Sequence, residues 1–269
     1  MKLDKATIEK LAEHLENCQL QAKDTTKITD DYPEMDWDDA YAIQNVIKAR
    51  KLARGLKLGG LKAGLTSHAK MKQMGVTTPV FGFMTKDYEI ADGGDCKTSE
   101  LIHPKVEPEI AFMTNKPLRG PGCHIAAVLA ATEYVIPGIE VIDSRYRDFK
   151  FDLKSVVADN TSAARYVVGG QKLDVKNADL RTTGIVLEKN GQPVVFDLPD
   201  LYMKNLGKAE NGLSPGQLGQ VIVSALKKEL IATVNFTKLA NGALDVAADL
   251  AKTVQESPGE VVNKLKSLF

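Results

Sequence analysis

The stretch HPKVEPEIAF (103–112) sets Glu107 and Glu109 two residues apart in a strand-like run, and GIEVIDSRY (138–146) sets Glu140 between Ile139 and Val141 in a second. In an extended strand residues i and i+2 share a face, so Glu107 and Glu109 project together while Val106, Pro108 and Ile110 point the other way. Three carboxylates on adjoining strands repel one another unless a cation neutralises them. A hard divalent ion held by oxygen ligands is the common solution. Mg²⁺ or Mn²⁺ in such a site would keep open positions for water or a chelating substrate. The alternative puts Glu107 and Glu109 on a solvated strand face and Glu140 in a salt bridge with Arg145 or Lys105. Glu140 weighs against it, because YVIPGIEVI (134–142) is apolar enough to be buried and a buried carboxylate needs a partner.

Other residues carry weaker signals. Lys62 lies among Gly59, Gly60 and Gly64 in LGGLKAGLTS (58–67), a glycine-rich loop on this reading, and those glycines fit neither a dinucleotide fingerprint nor a Walker loop. Lys62 is then a surface charge or, if desolvated, an acid or a contact for an anionic ligand. Asn160 and Ser162 in ADNTSAA (158–164) would orient a substrate or form an Asx-type turn. His103 before a proline reads as a turn residue, His124 as a helix-start residue, and Cys123 lacks a convincing partner for nucleophilic work.

These side chains need elements to hold them. Apolar residues at Ile8, Leu11, Leu15 and Cys18 predict a helix over 4–22 that faces a core. Residues 31–55 predict a second, with an acidic start, a basic finish and Gly55 as terminator. Strand-like patterning follows over 76–112, interrupted by turn signals at 91–95 and 103–104. Residues 121–146 read as a helix feeding a buried strand, and 149–170 as a polar loop between apolar runs. From about residue 195 the pattern is helical, with Ser214 and Pro215 as a helix start, Leu239, Ala243, Val246, Leu250 and Val254 at helical spacing, and Glu260 closing a capping box. The expected division is an α-rich cap over 1–78 and a catalytic core over 79–269 that ends in this helical tail.

Composition narrows the partners. Lys plus Arg and Asp plus Glu number 35 each in 269 residues, so no net charge steers the chain toward nucleic acid or an anionic membrane surface. Three cysteines without a CxxC pair argue against a disulfide framework or a zinc knuckle. The charged start MKLDKATIEKLAEHLEN lacks the apolar core of a signal peptide, and no apolar run approaches a membrane span. The expectation is a cytoplasmic protein.

Long segments of the chain resemble a known family: PEMDWDDAY (33–41), GLKAGLTSHAKMKQMGVTTPVFG (60–82), HPKVEPEIAF (103–112), GPGCH (120–124) and 134–170. They are similar to the hydratase/decarboxylase branch of the fumarylacetoacetate-hydrolase superfamily, and above all to its 2-oxo-3-hexenedioate decarboxylases. The likeness runs from about residue 5 to about residue 193. It implies an α+β fold, a mixed β-roll core with an N-terminal α-rich cap, to which this chain adds an atypical helical C-terminal region. It implies that Glu107, Glu109 and Glu140 bind Mg²⁺ or Mn²⁺, that Lys62 is the active-site lysine, and that Asn160 and Ser162 belong to the substrate loop. The implied reaction is metal-dependent loss of CO₂ from 2-oxo-3-hexenedioate, a dicarboxylate 2-oxo acid, in meta-cleavage catabolism of aromatic compounds. Implied partners are a second copy of the chain and the 2-hydroxypentadienoate hydratase. Two other functions stay open: the dienoate hydratase itself, and an inactive metal-binding scaffold left by the altered tail. Val80 stands where related hydratases carry an aspartate, which favours decarboxylation, and His68 stands where relatives carry tryptophan.

Overall fold

The computed structural model describes residues 1–66, 68–180, 183–190 and 192–197, with the backbone alone at 68, 69, 73 and 192–197. The helical tail expected from about residue 195, with Ser214, Pro215, Leu239, Ala243, Val246, Leu250, Val254 and Glu260, lies outside the described residues, as does the side chain of His68. Among the described residues no helix is long and apolar enough to cross a membrane.

The fold mixes helix and sheet. Helix α1 (Lys5–Leu20) starts at Asp4, whose side chain accepts from the Thr7 amide, and buries Ile8, Leu11, Ala12, Leu15 and Cys18 at the expected three- and four-residue steps. Helix α2 (Trp37–Ala53) starts later than the acidic run suggests. Asp36 and Asp39 form a reciprocal capping box there, which satisfies the amide groups that the first helical turn leaves without partners. Gly55, at φ +86°, ends this segment in the left-handed region that a side chain would resist.

The glycine-rich segment around Lys62 is a strand, not the expected loop. Strand β1 (Leu58–Gly64) pairs antiparallel with β2 (Val80–Thr85), with a short helix α3 (His68–Gln73) between them. The ladder overrides the low strand preference of glycine, and at Gly59 a close neighbour leaves no room for a side chain: a Cβ there would lie 2.6 Å from the Tyr166 hydroxyl. Strand β3 (Pro104–Thr114), helix α4 (Ile125–Ala131) and strand β4 (Thr132–Asp143) follow, and His124 caps α4 through the Ala127 amide. The polar loop expected over 149–170 contains helix α5 (Leu153–Ala158), started by Asp152 accepting from the Ser155 amide, and strand β5 (Ala163–Val168). Strands β6 (Ile185–Lys189) and β7 (Gln192–Asp197) form a hairpin.

Two compact units emerge. One comprises Met1–Glu107 and Gly138–Gly169, the other Pro108–Pro137 and the described residues from Gly170 onward. The first has a core of Ile8, Leu11, Leu15, Ile43, Ile47, Val80, Phe83, Tyr146 and Val157, in which α1 and α2 pack with β2 and α5. Each large aliphatic side chain buried there contributes about 1.5–3 kcal/mol. In the second, the Val135 and Leu173 backbones exchange hydrogen bonds of 2.8 and 2.9 Å, and Asn115 donates to the Ala131 carbonyl. Strand order in the three-stranded sheet is β3-β4-β5.

Candidate active site

Glu107 and Glu109 stand on β3 and Glu140 on the neighbouring β4, and one carboxylate oxygen from each lies within 4.8 Å of the others. Glu107 is exposed, whereas Glu140 is only 5% exposed, as the apolar run around it suggests. Burial raises the Glu140 carboxyl above the usual carboxylate range, the Lys62 ammonium pulls it back, and the Glu107 charge adds to the rise.

Neither partner expected for Glu140 is the one it has. Lys62 Nζ lies 2.5 Å from Glu140 Oε1, and the Lys62 side chain is only 10% exposed. Arg145 is instead the buried counter-ion of Asp159, and Lys105 Nζ stands 3.7 Å from the centroid of the Phe149 ring. Lys62 Nζ also donates to the Thr161 carbonyl at 3.0 Å. The solvated reading of this lysine therefore fails on burial.

The segment that receives Lys62 has an uncommon backbone. Asn160, Thr161 and Ser162 have φ of +51°, +51° and +59°, three successive non-glycine residues in the left-handed region. Such a turn persists only when its surroundings over-determine it. Asn160 Oδ1 accepts from the Phe83 amide and Asn160 Nδ2 donates to the Phe83 carbonyl, both at 2.9 Å. The Arg145 guanidinium donates to the Asp159 carboxylate and carbonyl, to the Asp143 carbonyl at 2.6 Å and to the Ala163 carbonyl at 3.3 Å. Burial pushes the Asp159 carboxyl up to about 6 against the pull of Arg145. Ser162 Oγ is buried and has no hydrogen-bond partner among the described residues.

Lys62 and Glu140 are thus in direct contact, Asn160 spends its carboxamide on the Phe83 backbone, and Ser162 keeps an unused hydroxyl. Reasoning from the sequence passed over the Thr161 carbonyl, Gly82 and the Arg145–Asp159 pair. A glycine inside the run TPVFGFMT (78–85) was the available sign of a close backbone approach. No spacing rule links residue 145 to residue 159. As a donor set, three closely grouped carboxylates offer the hard oxygen ligands that Mg²⁺ takes, and they lack the nitrogen or sulfur that zinc prefers.

A mixed helix-and-sheet protein with a carboxylate trio against a buried lysine has the makings of an enzyme that works with a divalent cation. No family model matches the chain. It is 59% identical over 184 residues to the 4-oxalocrotonate decarboxylase of Pseudomonas sp. (strain CF600), which covers 68% of this chain and 70% of that protein. It is 40% identical over 192 residues to the 2-hydroxypent-2,4-dienoate hydratase of Pseudomonas putida, or 71% of this chain and 86% of the hydratase. Among solved structures, the 4-oxalocrotonate decarboxylase from Pseudomonas putida G7, complexed with magnesium and adipate, superposes with a TM-score of 0.70 at 52% identity, covering 73% of this chain and 75% of that one. The chain belongs to the 4-oxalocrotonate decarboxylase family.

Proposed function

We propose that this chain is a carboxy-lyase that converts 4-oxalocrotonate, that is 2-oxo-3-hexenedioate, to 2-hydroxypenta-2,4-dienoate and CO₂ in meta-cleavage catabolism of aromatic compounds in the cytoplasm. The observation that carries this reading is the Lys62 ammonium, 10% exposed and 2.5 Å from Glu140 within the carboxylate trio. The similarity supports it: the decarboxylase relative is 59% identical and the hydratase 40%. In this reading the core closes as a fumarylacetoacetate-hydrolase-type β-roll, and Glu107, Glu109 and Glu140 hold Mg²⁺, with Mn²⁺ as a substitute.

The bound cation supplies Lewis-acid polarisation of the 2-oxo acid end of the substrate. The rest is work for side chains of this chain. As the bond to the distal carboxyl carbon breaks and CO₂ leaves, its electron pair passes through the conjugated carbons to the 2-oxygen, which then takes one proton. Lys62, a buried cation, stabilises charge at that oxygen and supplies the proton. Ser162 Oγ, buried without a partner among the described residues, donates to a substrate carboxylate. Asn160 serves the same site through the backbone it holds. The dienol product suits direct transfer to a 2-hydroxypentadienoate hydratase partner, and the catalytic unit is a homo-oligomer.

The test is loss of the ultraviolet absorbance of 2-oxo-3-hexenedioate with Mg²⁺ and with a chelator. Turnover that requires Mg²⁺ is the expected result. Activity on the dienoate alone would transfer the chain to the hydratases, and a folded protein inert toward both compounds would make it a binding subunit.

A further inference from the structure

Lys62 owes its aim to groups outside its own strand. Across the β1–β2 ladder it faces Gly82. A Cβ on Gly82 would meet Thr161 Oγ1 and would stand 3.0 Å from Asn160 Oδ1 and 3.1 Å from the Asn160 carbonyl oxygen. The space a side chain would fill is thus occupied by the left-handed turn. Asn160 fastens that turn to Phe83, the residue after Gly82, through both backbone groups. Thr161 Oγ1 donates to the Asn160 carbonyl at 2.8 Å, and the next carbonyl, that of Thr161, accepts from Lys62.

An ammonium has three donors. One goes to the Thr161 carbonyl while the ammonium as a whole ion-pairs with Glu140, so Lys62 is held by two anchors instead of one. Glu140 alone would leave Lys62 free to swing about a single contact. We infer that Gly82, Asn160 and Thr161 form a clamp that positions Lys62, with Asn160 and Gly82 acting through the lysine and not on the substrate. The inference deepens the proposed function and rests on its reading of Lys62. It assigns Gly82 a role that depends on its lack of a side chain.

Two variants test it. Gly82→Ala forces a methyl group into the turn. Asn160→Asp is nearly isosteric, keeps the acceptor for the Phe83 amide and loses the donor to the Phe83 carbonyl, so it decides the matter should Gly82→Ala not fold. Acylation of Lys62 by an amine reagent is followed by peptide mass spectrometry without substrate, with Lys5, whose side chain is 90% exposed, as internal standard. Magnesium affinity, KM and kcat are measured on the same folded samples. The clamp predicts Lys62 acylation at least about tenfold faster and kcat about ten- to a hundredfold lower, with KM and Mg²⁺ affinity within about threefold. Adding Thr161→Ala to Gly82→Ala removes the hydroxyl that the new methyl meets but leaves the two Asn160 contacts, so both effects recede in part. Folded variants with lower melting temperature but wild-type acylation and kcat would show ordinary packing and overturn the clamp. If the wild type does not turn over 2-oxo-3-hexenedioate, the proposed function fails, and the acylation rates alone still decide for or against the clamp.

Discussion

Glu107→Gln separates a metal site from a solvated strand face, because only at a metal site does the sign of its effect on stability reverse when Mg²⁺ is added. Two unit charges 4.8 Å apart repel by about 1 kcal/mol at the dielectric constant of water and about 3.5 kcal/mol at an effective value of about 20. Glu107 has two carboxylate neighbours, and Lys62 already offsets much of the Glu140 charge, so the repulsion is at most that of a single pair. The exposure of Glu107 moves the figure toward the water limit. Neutralising it should therefore stabilise the metal-free protein by about 1 kcal/mol. With the cation the order reverses. A ligand at a hundred times its Kd stabilises the wild type by about 2.7 kcal/mol, and the variant, missing one anionic ligand, should lose most of that gain. Urea unfolding followed by circular dichroism, once in chelator and once in Mg²⁺, gives both numbers. A variant that is less stable than wild type in chelator, yet gains as much from Mg²⁺, would refute the reasoning.

Ser162→Ala removes a buried hydroxyl without a partner among the described residues, so stability should stay within about 0.5 kcal/mol or rise while kcat/KM drops about tenfold or more; equal kcat/KM would take Ser162 out of the substrate contacts. Arg145→Met leaves Asp159 without its cation and takes one donor from each of three carbonyls, a loss of about 3–5 kcal/mol by chemical denaturation. Its pH dependence has a defined sign. The Asp159 carboxyl, raised to about 6 by burial with the guanidinium present, rises further without it; below pH 6 both proteins hold the proton, and as pH climbs past 6 the wild type ionises into the ion pair while the variant must keep the proton or bury an unpaired charge. The penalty for Arg145→Met should accordingly be larger at pH 8 than at pH 5, and a penalty independent of pH would show that the pair is not an ionic one.

Periodicity carried much of the helical reading. Ile8, Leu11, Leu15 and Cys18 face the core as their spacing requires, since a helix has one stripe to bury. The alternation of Glu107 and Glu109 and the apolar flanks of Glu140 located the carboxylate cluster, because a strand has a period of two and burial of a charge demands a reason. Glycine's low strand preference hides strand β1 around Lys62, and the contacts that make glycine necessary at Gly59 and Gly82 come from residues distant in sequence. Helix α5 went unseen for a similar reason: six residues are too few to show a helical period, and only Asp152 hinted at a start. The ion pair of Glu140 with Lys62 joins residues far apart in the chain, and no local pattern encodes such a choice.

Gln44 on α2 gives this arrangement a boundary. Its carboxamide donates at 2.9 Å to the Phe81 carbonyl, one residue before Gly82, and at 2.9 Å to the Val157 carbonyl, near the end of α5. A single side chain from the second helix thus ties together the strand that faces Lys62 and the helix that leads into the left-handed turn. The helical pair is for that reason no detachable lid. Anyone trimming this chain to a minimal catalyst, or grafting its lysine and carboxylates onto another sheet, would have to carry α1 and α2 along, because the lysine depends on a strand that these helices help to hold.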